Sequence, residues 1–420
     1  MDHLLKYFKP LDNSPKIWYT TYMAKNTHLE HLEDDILNLG SEGGKSAIAF
    51  LKSLGEMLSG GDKNKSVNIT TKWDGAPAII CGIHPTWESF FVGNKSVFAK
   101  TQPKICVDNS DVDEFYPSSG LNKILKECLQ YLSKLNIKGV IQGDLLFTSN
   151  TKTVTNIGGK RCVTFTPNTI TYAIPLDTDL GQRVNRAKIG IVFHTSYSGS
   201  SLAEMSAGFG VDVSPYQGHT DIAVFSSDFS DASGSANFTP QELNKFKASV
   251  NRAEGSLKQA SKFLDVMKGG DRYAFSAIFK QFFNTYIRGG SSIPATSKVV
   301  TDFAKYYSAL IDKEINTKKT ATAKSKWEKV KQDGMKFIST NERSIYMTVA
   351  AYKNLTDAKL MVIRQLEKVK DIGTFLKDGN GYRVTAPEGF VAIKSGRAMK
   401  LVDRLEFSVA NFTVDKNWDK

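Results

Sequence analysis

Apolar positions change their spacing along the chain, and the changes mark its sections. In "HLEHLEDDILNLG", Leu29, Leu32, Ile36 and Leu39 recur every three or four residues, which predicts an amphipathic helix ended by Gly40. "KSAIAFLKSLGEMLSG" repeats the spacing with Ile48, Leu51, Leu54 and Leu58. The "GSEGGKS" between them reads as a helix–helix turn, because it is one residue short of a phosphate loop and no strand precedes it. From 61 to 235 the pattern is short apolar or alternating runs: "SVNITT", "APAIICGI", "SFFVGN", "SVFAKT", "GVIQGDLLFT", "CVTFT", "TITYAIP" and "IGIVFHT". These predict strands, with one helix at about 120–135 and a Gly-, Ser- and Asp-rich long loop over 205–235. At 236 the period returns to that of a helix. In "FTPQELNKF", Thr239 is the expected N-cap, Pro240 the first helical residue and Glu242 the capping-box partner. Successive helices run to about 372, after which "TFLKDGNGYRV", a hairpin around Asp378-Gly379, and "PEGFVAI" bring strands back.

The expected organisation is therefore an α+β chain. Residues 1–60 form an N-terminal helical segment, 61–235 the first part of a sheet core, 236–372 an all-α insertion and 373–420 the final strands.

Composition alters this picture in one respect. The formal net charge is +12 over 420 residues, which favours polyanionic partners. The densest basic run, Lys313, Lys318, Lys319, Lys324, Lys326, Lys329 and Lys331, lies in the helical insertion. It reads either as a solvated helix face or as a nucleic-acid surface. No run of about 18 apolar residues predicts a membrane span, and the first residues have no apolar signal-peptide core. Cys81, Cys106, Cys128 and Cys162 form no CxxC pair, as expected of free thiols in a reducing cytoplasm. His28 and His31 stand three apart on the first helix with no third metal ligand in view, and His194 reads as a strand-end histidine.

One stretch is chemically unusual. In "NITTKWDGAPAIICG", Asp74-Gly75 is ordinary turn chemistry between two strands, but a hairpin does not need Lys72 and Trp73 before it. Taken with "GDLLF" at 143–147 and "EGFVAIKSGRAMKLV" at 388–402, the segment resembles the ordered motifs of the covalent nucleotidyltransferase superfamily, the ATP-dependent polynucleotide ligases and RNA capping enzymes. Lys72-Trp73-Asp74-Gly75 resembles its KxDG motif and Gly143-Asp144-Leu145 its GE-plus-apolar motif. Glu388-Gly389-Phe390-Val391 resembles EG-apolar-V, and Met399-Lys400-Leu401 the closing lysine strand. The resemblance covers about 61–235 and 373–420, and a helical insertion between them suits a large phage-like ligase.

The resemblance implies an antiparallel-sheet, ATP-grasp-like ligase core and a definite chemistry. A lysine amine attacks the α-phosphate of ATP once burial or neighbouring positive charge favours its neutral form. That lysine would be Lys72, with Asp74 beside it and Thr70 and Gly75 lining the nucleotide. Asp144 and Glu388 would bind the ribose and Mg2+ (or Mn2+). Lys400 would face the α-phosphate as charge shifts in the transition state. Lys100 is the expected nucleotide-contacting cation, with Lys95 as alternative, and Tyr172 the expected adenine platform, with Phe147 as alternative. The chain departs from the family pattern in three places. The last motif lacks a second lysine, for which Lys394, Arg397 or Arg404 could substitute; Asp144 stands where Glu is usual; and Ala76-Pro77 follow Gly75.

The expected activity is cytoplasmic sealing (in host cytoplasm for a phage protein) of 5′-phosphate and 3′-hydroxyl ends through lysyl-AMP. RNA is favoured over DNA because only about 20 residues follow Lys400, too few for the OB-fold of DNA ligases and capping enzymes. A nucleotidyltransferase with another acceptor (a cap-like RNA end, a DNA nick or a protein) and a non-enzymatic basic nucleic-acid-binding protein are the alternatives.

Overall fold

A computed structural model describes residues 30–60, 68–227, 236–267, 275–368 and 373–406, apart from 119, 158, 295, 379–380, 385–388 and 395–396. In chain order the helices are α1 (Asp35–Asn38), α2 (Gly40–Met57), α3 (Asn109–Phe115), α4 (Gly120–Leu132), α5 (Asp179–Arg186), α6 (Pro240–Met267), α7 (Phe275–Arg288), α8 (Lys298–Thr317), α9 (Ala321–Thr340) and α10 (Glu342–Leu366). The strands are β1 (Asn68–Lys72), β2 (Ala78–Ile83), β3 (Phe90–Gly93), β4 (Val140–Thr148), β5 (Lys152–Ile157), β6 (Lys160–Phe165), β7 (Ile170–Pro175), β8 (Ile189–Ser198), β9 (Ser206–Phe209), β10 (Ile222–Phe225), β11 (Gly373–Asp378), β12 (Gly381–Val384), β13 (Gly389–Lys394) and β14 (Arg397–Leu401). The fold is mixed α+β.

Three mainly antiparallel sheets follow. The first has the order β1-β13-β14, the second β10-β8-β4-β2-β3 with β9 beside β8, and the third β12-β11-β7-β6-β5. Strands on either side of the helical block therefore share two sheets, β1 with β13 and β7 with β11. Asp378 pairs with Gly381, so β11 and β12 form the hairpin expected there.

Helices α6 to α10 pack with α2 around one apolar core that includes Phe246, Leu257, Phe279, Phe303, Tyr352 and Leu366. The rings of Phe279 and Phe303 stack at 3.9 Å. That core also takes one face of the three-stranded sheet. Ile69, Ala392 and Met399 stand in register across its strands and are buried with Phe390 and Leu401. Alternation along a strand then sends Lys72, Val391 and Lys400 to the opposite face.

The capping box forms as its residue types demand. The Thr239 N–H donates to Glu242 Oε2 at 2.8 Å, and the Glu242 N–H donates to Thr239 Oγ1 at 3.3 Å.

Several sequence expectations are corrected. "GSEGGKS" is not a turn but the start of α2, because Leu257 of α6 fills the space where a side chain at Gly44 would stand. Leu39 is exposed rather than in the apolar stripe, since it sits at the break between α1 and α2. The 205–235 loop contains β9 and β10, and β10 pairs in parallel with β8, a long-range pairing that local composition does not reveal. The first two strands of the KWDG region do not form a hairpin: β1 and β2 belong to different sheets. No described helix is long and apolar enough to cross a membrane. All four cysteines are free and buried.

Candidate functional site

Lys72 is the last residue of β1, paired with Gly389 of β13, and Thr70 is paired with Val391. Val391 in turn pairs with Lys400 of β14. Lys72 and Lys400 thus share the sheet face turned away from the helical core, two strands and two residues apart. That corresponds to about 12 Å between their Cα atoms. Both are half-buried. Gly389 has φ +147°, and a Cβ there would stand 2.3 Å from the Leu401 carbonyl oxygen, so the glycine lets β14 approach beside Lys72. Glu388 lies outside the described residues, and of Lys394 and Arg397 only the backbone pairing with each other is described.

The five residues after β1 carry the chain from the three-stranded to the six-stranded sheet. Trp73 is buried with its ring 5.0 Å from both Tyr172 and Phe225. Asp74 is 4% exposed, and its carboxylate accepts from Asn168 Nδ2 at 2.7 Å, the Thr169 N–H at 2.6 Å and the Ile170 N–H at 2.7 Å. Its own N–H donates to the Tyr172 hydroxyl at 2.7 Å. The carboxylate expected to act beside Lys72 is therefore engaged by the turn between β6 and β7. What it does for the site is hold the Lys72 segment in place. Tyr172, 3% exposed, lies against Trp73 and Phe165 and has no ring face for a base; Phe147, at 1%, has none either. The adenine platform expected of these two does not fit their burial.

Gly75 crosses directly over β4. A Cβ at Gly75 would meet Asp144 Cβ at 2.6 Å, and the following Ala76 N–H donates to the Leu145 carbonyl at 2.9 Å. Only Trp73 and Asp74 separate Gly75 from Lys72, a reach of at most about 10 Å. Asp144 is thereby brought to the same end of the molecule as Lys72. Its Oδ2 lies 3.5 Å from His194 Nε2 of β8, with both side chains partly exposed, at 23% and 30%. His194 Nδ1 is 2.8 Å from Thr195 Oγ1. His194 is inside a strand rather than at its end, and only the β4–β8 register reveals its place beside Asp144.

Lys100 is not brought to this cluster. It lines a separate cavity with His84 and Trp87, and Lys95 is exposed at the start of a short 3-10 helix, Lys95–Phe98.

Beneath Lys72 and Lys400 lies a charged network that sequence reasoning missed, Arg404 apart. The Lys400 N–H donates to the Glu30 carbonyl at 3.0 Å, and His31 bridges to Lys400. Burial first, then the charges of Lys359, Arg404, Lys400 and Lys72, hold His31 well below the usual histidine range. His31 is thus a neutral ring among four cations, and its Nδ1 is a buried atom without a hydrogen-bond partner among the described residues. Glu33 pairs with Lys359 at 2.6 Å, both side chains fully buried. Asp34 pairs with Arg404 at 3.2 Å and accepts from the Tyr352 hydroxyl at 2.6 Å, which itself accepts from Arg404 at 2.7 Å. Acidic residues in a polar-looking helix start and a lysine in a distant helix give no local sign of pairing. The one available signal was the "EDD" run beside an apolar stripe. His28 lies outside the described residues, and among those described no group of three or more His, Cys, Asp or Glu side chains is placed to hold a metal.

The chain belongs to the Family of unknown function (DUF6267), whose model matches residues 26–416. No curated protein and no solved structure matches it.

Proposed function

We propose that this protein is a lysine-dependent nucleotidyltransferase of the polynucleotide-ligase type, built on an antiparallel-sheet, ATP-grasp-like core. One observation carries the reading. Segments ending at Lys72 and beginning at Gly389, over 300 residues apart, are neighbouring strands, with Lys400 on the third strand facing the same way. A basic protein in which KWDG were only a turn would have no reason to align these motifs in one sheet.

The chemistry follows from the residues. Lys72 Nζ forms a bond to the α-phosphorus of ATP while the bond to pyrophosphate breaks, and the amine proton passes to solvent. A 5′-phosphate oxygen then displaces Lys72 from the adenylyl phosphorus. Finally a 3′-hydroxyl attacks the activated 5′-phosphate and AMP leaves. Lys400, on the same sheet face, places a second cationic side chain near the half-buried Lys72, which suits a triphosphate. Asp144, a partly exposed hard-oxygen donor, fits Mg2+ or Mn2+, with Glu388 as its expected companion. The metal would supply Lewis-acid charge at the phosphate oxygens.

The test is autonucleotidylation. The protein is incubated with ATP labelled at the α-phosphate and Mg2+, denatured, and assayed for label on the chain. Label is expected on wild type, reversed by pyrophosphate and absent from Lys72→Ala. A folded protein that takes no label from ATP, GTP or NAD would sink the proposal and leave the basic nucleic-acid binder. Labelled protein offered nicked RNA and nicked DNA would then separate the sealing reaction from transfer to another acceptor.

A further inference from the structure

The connection between β2 and β3 presents an exposed tryptophan held in one orientation. Trp87 is 55% exposed, and its ring stacks on His84 at 3.9 Å and 12°. His84 is itself fixed: its Nδ1 accepts the Thr86 and Trp87 N–H groups at 3.2 and 3.1 Å, and its ring meets the edge of Phe91. One face of the indole is thus covered by an immobilised imidazole, leaving the exposure to the other.

That indole lines a cavity of about 410 Å³ together with Lys100, Ile105, Val107 and Leu202. Among the described residues five large apolar side chains are exposed, and two of them, Trp87 and Val107, are in this one cavity. The cavity thus offers a ligand an apolar wall that water now covers. The carboxylate on the wall, Asp111, already accepts the Val107 and Asp108 N–H groups, so it is engaged by the chain. Lys100 is exposed on the opposite segment, with Lys104 four residues on, in a chain of net charge +12.

We propose that this cavity binds one unpaired base of a single-stranded polynucleotide, stacked on the free face of Trp87, with a neighbouring phosphate at Lys100. A preset aromatic face beside a cation is what sequence-tolerant single-strand binding requires, because every base has a π-face and every linkage a charge. An aromatic peptide would use the indole and gain nothing from Lys100. The inference stands apart from the lysyl-nucleotide reading, since it requires no chemistry at Lys72.

The probe is a fluorescein-labelled oligouridylate followed by anisotropy across a salt series, with the full chain. Trp87→Ala is expected to weaken binding roughly 5- to 100-fold, the range that stacking of one base supplies, while Trp87→Phe keeps most of the affinity. Lys100→Ala is expected to flatten the slope of log K against log salt by about 0.7, one phosphate contact on a single strand. Labelling of Lys72 with ATP should be unchanged in all three variants, so failure here and failure of the ligase reading are distinguishable. Trp87→Ala binding as tightly as wild type would overturn the proposal, as would wild type that does not bind the oligonucleotide. A Lys100→Ala slope equal to wild type, or displacement by a tryptophan-rich neutral peptide as effective as by oligouridylate, would replace it with peptide capture. Should Trp87→Ala not fold, the indole N–H signal of Trp87, assigned by its loss in Trp87→Phe, decides: a signal that does not shift on adding oligouridylate overturns the proposal.

Discussion

The two sheets joined at residues 72–78 are built in opposite ways. The six-stranded sheet comes from one stretch of chain, Ala78 to Phe225, and is apolar on both sides. Ile79, Ile141, Ile191 and Phe193 pack beneath α3 and α4, and Ile80, Phe91, Leu146 and Val192 pack on the other side. The three-stranded sheet is assembled from segments more than 300 residues apart, and among the described residues its apolar cluster lies on one face, against the helices. The half-closed sheet carries the two lysines, and the fully packed one carries Asp144 on its central strand, β4. The two lysines stand on the face away from that apolar cluster, and on the helical side the ion pairs Glu33–Lys359 and Asp34–Arg404 are buried beside it.

The largest expected effect breaks the first of these pairs. Lys359→Met leaves the fully buried Glu33 carboxyl without its partner, which should cost about 3–5 kcal/mol in denaturant unfolding. The double variant Glu33→Leu, Lys359→Met should recover most of that loss, since it removes both charges together. If the double variant regains stability but takes up label from ATP poorly, the pair positions Lys400 as well as stabilising the fold. If the single variant is as stable as wild type, the comparison between the sheets fails at its base.

Next comes the joint itself. Asp74→Ala leaves the Thr169 and Ile170 N–H groups and the Asn168 amide without their acceptor, and should cost about 3 kcal/mol. Loss of labelling with an unchanged melting curve would instead mean that Asp74 acts on the nucleotide. Gly75→Ala should cost about 1–3 kcal/mol, because the added methyl must displace Asp144 or the chain crossing it. It should also weaken labelling, whereas an equal loss of stability at Lys152→Ala should not. Lys152 donates to the Val184, Asn185 and Ala187 carbonyls at the end of α5, on a sheet that carries neither lysine.

These cases also show what the sequence could and could not disclose. Periodicity located the helical block and the strands at 140–148 and 189–198, because burial on one face or both leaves a repeat in the chain. Motif spacing picked out Lys72, Asp144 and Lys400. It could not tell that Asp74 is engaged by the turn after β6, that Tyr172 is covered, or that Lys100 belongs with Trp87. Those depend on which strands become neighbours. Glu33 and Lys359, 326 residues apart, carry no sign of their pairing because no local pattern distinguishes a charge paired in the core from one in water.

The smallest effect tests the local counterpart of that buried pair. Glu242 caps α6 at the start of the helical block, and its carboxyl is lowered to about 2, first by the Thr239 N–H, then by the Gln365 side chain and the Thr239 hydroxyl. A carboxyl depressed on folding contributes stability above its ordinary value of 4.5 and loses it as pH falls through about 2. Glu242→Gln should therefore lower the thermal midpoint slightly at pH 7. The gap to wild type should narrow between pH 4.5 and about 2 as the wild-type carboxyl takes up its proton. A gap that stays constant across that interval would mean the side chain holds the helix by shape rather than charge. A gap as large as that of Lys359→Met would mean that the exposed cap, and not the buried pair, fastens the helical block behind the half-closed sheet.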